Sequence, residues 1–244
     1  MPELPEVQIL VDQLTSGLVG ARITAVEVRD AKIKLRRDIV GRRVEQIWRR
    51  GKNLIFDLSG GLHLLAHLRM TGWFELKEPK RYRAAIRTGN GAIYFEDARR
   101  FGVMDVLASS QLHAFLAALG PEPLSKEGPN LSRVVKTTRP IKVALLDQRL
   151  IAGIGNIYAS ESLWWARVNP RRRANRLRVV ELKALRAGIV KSLRKAIDYG
   201  PRIFNVQHFA VYDRGGKPCL RCRTPIRRIV QAQRSTFYCP RCQR

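Results

Sequence analysis

Apolar residues at Val7, Leu10, Val11, Leu14 and Leu18 recur at the spacing of one helix face, and Ser16-Gly17 begins a stop. The pattern predicts a helix over residues 4–17. From Arg22 to about Leu107 the period changes. Short β-branched and aromatic runs (Ile23–Val28, Val44–Trp48, Leu54–Leu58, Leu62–Leu68, Ile93–Phe95 and Val103–Leu107) alternate with turns such as Ser59-Gly60-Gly61 and Gly89-Asn90-Gly91. That rhythm predicts an antiparallel β-sandwich or barrel. The Gly/Pro-rich stretch from Gly120 to Pro129 marks a boundary. Beyond it helices are expected near 131–137, in a short segment ending around Asp147, from Asn156 to Trp165, and from about Arg178 to Ile197. The fold class is α+β, divided into an N-terminal helix with a β-sandwich (1–119), a helical domain (120–200) and a cysteine-bearing domain (201–244).

Composition narrows the class. The 244 residues are 45% hydrophobic, which suits packed cores. The longest apolar runs are far shorter than the roughly 20 residues of a membrane span. The N-terminus carries acid where a signal or transit peptide carries base, so a cytoplasmic protein is expected. Charge changes the picture most. Forty-six Lys+Arg against 20 Asp+Glu give +26, a self-repulsion that a polyanion relieves. Solubility needs only a few net charges, and a membrane surface would call for base gathered on one amphipathic helix. Nucleic acid is the expected partner.

The four cysteines form two Cys-x-x-Cys pairs, Cys219/Cys222 and Cys239/Cys242. In a reducing compartment this spacing predicts one structural Zn2+ bound by four thiolates, with no open position for catalysis. Two disulfides are the competing reading.

Two further segments hold candidate chemistry. Gly153 and Gly155 precede Asn156 at the junction of two expected helices, where a helix N-terminus could grip a phosphate. An ordinary helical turn explains Gly-x-Gly-Asn about as well. Removal of Met1 would leave Pro2 with a free secondary amine of pKa near ~8, a usable nucleophile, and Glu3 could shuttle protons. From these residues alone a helix start is the simpler reading.

Six segments occur in a telling order: Met1-Pro-Glu-Leu-Pro-Glu-Val7, Gly51-Lys-Asn-Leu54, His67-Leu-Arg-Met-Thr-Gly72, Asp97-Ala-Arg-Arg-Phe-Gly102, Gly155-Asn-Ile-Tyr-Ala-Ser-Glu161, and the finger with Gln233-Arg-Ser-Thr-Phe-Tyr-Cys239. Together they resemble the formamidopyrimidine-DNA glycosylase/endonuclease VIII family. Leu4 and Thr224-Pro225-Ile226 lean toward the formamidopyrimidine branch. The resemblance implies a monomeric base-excision-repair glycosylase with AP lyase activity, acting on duplex DNA that carries a damaged base or abasic site. It implies a helix-two-turn-helix in the helical domain and a zinc finger after it. It makes Pro2 the Schiff-base nucleophile and Glu3 the proton donor or acceptor. Lys52 would reach the lesion nucleotide and its phosphate; otherwise it is a solvated turn lysine. Asn156 and Arg234 would clamp the flanking phosphates, with Lys142 and Tyr212 as further backbone contacts. Met70, Arg99 and Phe101 would fill the gap left by the flipped nucleotide, against a reading of Met70 and Phe101 as ordinary core.

The sequence also departs from that family. The long glycine-rich loop that closes over 8-oxoguanine is missing or drastically shortened, since Tyr199–His208 runs almost directly to Val211-Tyr212. Glycine is more usual at Arg69, proline at Ala98 and an acid at Gln8. The pocket would be more open or suit another lesion, and the added cation at Arg69 could alter contact with the opposite strand. Two other classes remain: a non-catalytic lesion- or structure-binding protein that keeps the DNA grip, and a basic RNA- or ribosome-associated zinc protein.

Overall fold

The structure, a computed structural model, describes residues 2–200 and 209–244. Most of the segment read as a shortened loop, residues 201–208, lies outside the described residues, as does Met1. The chain separates into two compact units, Met1–Pro2 with Glu6–Ala118, and Glu3–Pro5 with Leu119–Arg244.

The first unit holds most of helix α1 (Leu4–Leu18), then β1 (Ile23–Val28), β2 (Ile33–Lys34), β3 (Val44–Arg50), β4 (Asn53–Leu58), β5 (Leu62–His67), β6 (Trp73–Glu75), β7 (Ala84–Thr88), β8 (Gly91–Glu96), β9 (Val103–Ala108) and α2 (Ser109–Ala117). Two sheets form, ordered β1-β7-β8-β6 and β2-β9-β5-β4-β3. All their pairings are antiparallel except β2 with β9, where Ile33 lies beside Met104 in parallel. Between the sheets lies one apolar core in which the α1 face joins Leu54, Phe56, Leu64, Phe74, Ile86, Phe95 and Val106. Phe74 centres the aromatic contacts, with ring centroids 5.9 Å from Phe56 and 5.1 Å from Phe95. Each such side chain contributes roughly 1.5–3 kcal/mol by leaving water.

The second unit contains α3 (Ile141–Leu145), α4 (Asn156–Ala166), α5 (Val179–Asp198) and the hairpin β10 (Arg227–Gln231) with β11 (Arg234–Tyr238). Helix α4 is buried along most of its length. Helix α5 approaches it at Gly188, where a Cβ would lie 2.6 Å from the Ser162 carbonyl oxygen, so only glycine permits the approach. The helix expected near 131–137 forms only one 3-10 turn at Val134–Lys136. Pro129 and Pro140 bracket it, and Val134, Val135, Thr137 and Thr138 are β-branched, a poor setting for helix nucleation. Among the described residues no helix is long and apolar enough to cross a membrane.

Candidate active site and metal centre

In the second unit the first turn of α4 receives a carboxylate. Glu3 is buried and accepts backbone N–H bonds from Gly155 (2.7 Å), Ile157 (2.9 Å) and Tyr158 (3.3 Å). These N–H groups have no carbonyl partner inside the helix, and the helix dipole favours an anion there. Leu4 adds a backbone bond to the Gly153 carbonyl at 3.1 Å. Gly153 has φ +82°, and a Cβ there would meet Leu4 at 2.6 Å. Both glycines read as a helix junction therefore serve Glu3: Gly153 makes room beside Leu4, and Gly155 donates to the carboxylate.

Lys142, on α3, is fully buried. Its Nζ donates to Asn156 Oδ1 (2.6 Å), Thr236 Oγ1 (2.7 Å) and the Ser235 carbonyl (3.0 Å). One ammonium thus joins α4 to the β10–β11 hairpin. Burial lowers its pKa to about 8, with Arg234 pulling the same way and Glu3 opposing. Arg234 is exposed at the start of β11. It follows Ala232 (φ 46°) and Gln233 (φ 59°), the two left-handed positions of a tight hairpin turn. Tyr212 is packed against Phe237, with ring centroids 5.5 Å apart. Burial raises its phenol pKa, and a hydrogen bond with Asn156 opposes the rise. Glu161 sets the backbone here by accepting N–H bonds from Ala210, Val211 and Tyr212, each at 2.9 Å.

The four cysteine Sγ atoms all lie within 4.8 Å of one another. Cys219 and Cys242 are 4.0 Å apart, Cys222 and Cys239 3.4 Å. A tetrahedral zinc with bonds of about 2.3 Å requires sulfur–sulfur edges of about 3.8 Å, so the donor set fits. The backbone N–H groups of Arg221 and Cys242 point at Cys219 Sγ (3.5 Å) and Cys239 Sγ (3.4 Å), which favours thiolates over thiols. The cysteines are not disulfide-bonded. They form a structural zinc site.

In the first unit Pro2 is half-buried, and Lys52 is buried in the turn between β3 and β4. Gly51 (φ 60°) opens that turn, and Arg50 pairs with Asn53 across it. Met70 and Phe101 are exposed, 39% and 49%, which removes the ordinary-core reading. They stand on loops 68–72 and 97–102, which Asp97 ties together. Its carboxylate accepts the Thr71 hydroxyl, the Gly102 N–H (2.7 Å) and Arg83 Nη1 (2.9 Å). Thr71 in turn accepts the Arg99 N–H at 3.2 Å. Arg83 is buried and also bonds Asp30 (2.7 Å) and the Gly102 carbonyl (2.7 Å). The Arg99 guanidinium sits 5.0 Å from the Phe101 ring centroid.

Against known proteins, residues 1–104 match the formamidopyrimidine-DNA glycosylase N-terminal domain, 119–208 its H2TH domain, and 216–244 a zinc finger found in FPG and IleRS. The chain belongs to the formamidopyrimidine-DNA glycosylase family. The formamidopyrimidine-DNA glycosylase of Chloroflexus aggregans is 41% identical over 271 positions, covering 100% of this chain and 98% of the relative. That of Thermus thermophilus is 40% identical over 264 positions, with the same coverage. Against the 244 residues here, those spans leave at least 27 and 20 positions of the relatives without a counterpart. The crystal structure of the Thermus thermophilus MutM (Fpg) protein superposes with a TM-score of 0.89 at 36% identity over 99% of this chain and 98% of that one. The Lactococcus lactis enzyme, bound non-covalently to DNA containing an AP site, gives 0.91 at 32% identity over the whole of both chains.

Within this formamidopyrimidine-DNA glycosylase fold, sequence reasoning missed Arg83, Thr71, Asp97 and Glu161 as organisers. Asp97 and Glu161 stood inside recognised motifs, where an acid amid so much base was the available signal. Arg83 gave none, because Lys80-Arg-Tyr-Arg83 reads as a solvated basic run.

Proposed function

We propose that this protein excises oxidised or ring-opened bases from duplex DNA and cleaves the resulting abasic site by β,δ-elimination. The observation that carries the reading is the Glu3 carboxylate, fixed by three backbone N–H groups and adjoining Pro2 in the chain. After removal of Met1, the Pro2 amine attacks the sugar anomeric carbon, the damaged base leaves with a proton, and opening of the sugar ring at the C1′–O4′ bond, with a proton delivered to O4′, gives the iminium. Glu3 donates or accepts protons. Loss of a sugar proton to a base expels the 3′ phosphate, and a second elimination expels the 5′ phosphate.

The remaining roles divide by unit. In the first, Lys52 meets the lesion nucleotide and its phosphate, while Met70, Arg99 and Phe101 fill the vacated stack. In the second, Asn156 and Arg234 hold phosphates flanking the lesion, and Tyr212 adds a backbone contact. Lys142 contributes to the same grip through Asn156 and the hairpin that carries Arg234. Zinc contributes placement and no chemistry. The functional division is a catalytic domain over 1–119, a helical DNA-binding domain with helix-two-turn-helix over 120–200, and a zinc-finger domain over 201–244. The enzyme acts as a monomer in the cytoplasm, at the nucleoid.

An incision assay tests this on duplexes carrying 8-oxoguanine, formamidopyrimidine, an oxidised pyrimidine or an abasic site. The abasic duplex is cut to β,δ-elimination products and at least one damaged base is released; Pro2→Gly sharply reduces both. A protein that binds these duplexes but cuts none is a lesion-binding module.

A further inference from the structure

Arg69 holds a left-handed backbone, φ 58°. In that conformation a Cβ crowds the following carbonyl oxygen, so glycine is the usual occupant. Strain kept at an exposed position points to a use for the side chain. The backbone N–H of Arg69 donates to His67 Nδ1 at 3.0 Å, which pins the start of the loop. Asp97 pins its end through Thr71. Between those two ties stand Arg69 and Met70, both exposed. Among the described residues no carboxylate or other acceptor engages the Arg69 guanidinium.

Its electrostatic surroundings are basic. The pKa of His67 falls to about 4 through burial first, then through Arg69 and Lys52, and no acid acts against them. The imidazole is therefore neutral at physiological pH, consistent with Nδ1 accepting the Arg69 N–H. Lys52, at the β3–β4 turn, and Arg69, just after β5, lie at the same end of the five-stranded sheet, where Asn53 is the register partner of His67. An exposed guanidinium that lacks an acid partner and stands at the same end of the sheet as a lysine suits a phosphodiester.

We infer that Arg69 is a further DNA-binding residue, a forked cation that joins Lys52 in neutralising the DNA backbone phosphate beside the displaced nucleotide. This rests on the reading of the protein as a DNA glycosylase. The left-handed turn directs the side chain, and the Asp97 tie keeps it beside Met70.

The test is equilibrium binding of a duplex with a non-cleavable abasic analogue, across salt concentrations, for wild type, Arg69→Gly and Arg69→Lys. Loss of one phosphate contact lowers the slope of log K against log salt by about 0.9, hence roughly eightfold weaker binding at 0.1 M salt, converging near 1 M. Arg69→Gly shows this loss with an unchanged or higher Tm, because glycine accepts the backbone. Arg69→Lys keeps the wild-type slope. An unchanged slope in Arg69→Gly overturns the inference, as does a Tm lowered by several degrees, which would make the side chain structural. Failure of the wild type itself to bind duplex DNA would instead defeat the functional reading.

Discussion

The two units solve the problem of buried charge in opposite ways. In the first, the Arg83 guanidinium meets two buried carboxylates, Asp30 and Asp97. In the second, the Lys142 ammonium meets only neutral oxygens, and Glu3 and Glu161 accept backbone N–H groups. Countercharge locks protonation: Asp30 is held well below the usual carboxylate range, by Arg100 first and Arg83 as well. Dipoles compensate less. Burial brings Lys142 down to about 8 and pushes the Glu161 carboxyl up despite three N–H donors. The first arrangement gives two loops a fixed shape. The second leaves Lys142, beside the first residue of α4, with a protonation that can respond to a bound anion.

The largest break of this contrast is Arg83→Met, which leaves the buried Asp97 carboxylate without its cation and Asp30 with Arg100 alone. Urea unfolding of the full chain is expected to show a loss of about 3–5 kcal/mol. A loss below about 1 kcal/mol would mean that water already solvates Asp30 and Asp97. Lys142→Met sharpens the other side. With a folded pKa of about 8 against an ordinary 10.5, the unfolded chain binds more protons between those values. Stability contributed at this site therefore rises with pH from 8 to 10.5, by up to about 3 kcal/mol. Stability measured across that range is expected to rise less steeply in Lys142→Met than in wild type; parallel profiles would place the titration elsewhere.

Much of this contrast was legible only in part. The helix beginning at Leu4 follows from its apolar face, and the strands β1, β3, β4, β5, β8 and β9 from short β-branched and aromatic runs between turn residues; β4, buried at all but one position, shows a continuous apolar run instead of alternation. Strands β2 and β6 are two and three residues long, too short to show a period. Strand β7 reads Ala-Ala-Ile-Arg-Thr, with little intrinsic strand preference; its neighbours impose its conformation. Helix α2 was missed for a related reason: Ser109-Ser-Gln111 looks like a loop until Gln111 caps the Ala108 N–H. The cysteines announced their site through local spacing. Lys142 could be flagged as basic but not as buried, since its three acceptors lie 14 and about 94 residues away. Long-range polar contacts of that kind leave no periodic trace.

The central claim is that the Pro2 amine forms a covalent link with the deoxyribose of damaged DNA. Borohydride trapping on an abasic-site duplex, followed by mass analysis of the cross-linked peptide, tests it most directly. The account predicts one reduced adduct on the N-terminal peptide at Pro2, sharply reduced by Pro2→Gly or by retention of Met1. An adduct on a lysine, or none while the abasic strand is still cut, would contradict it.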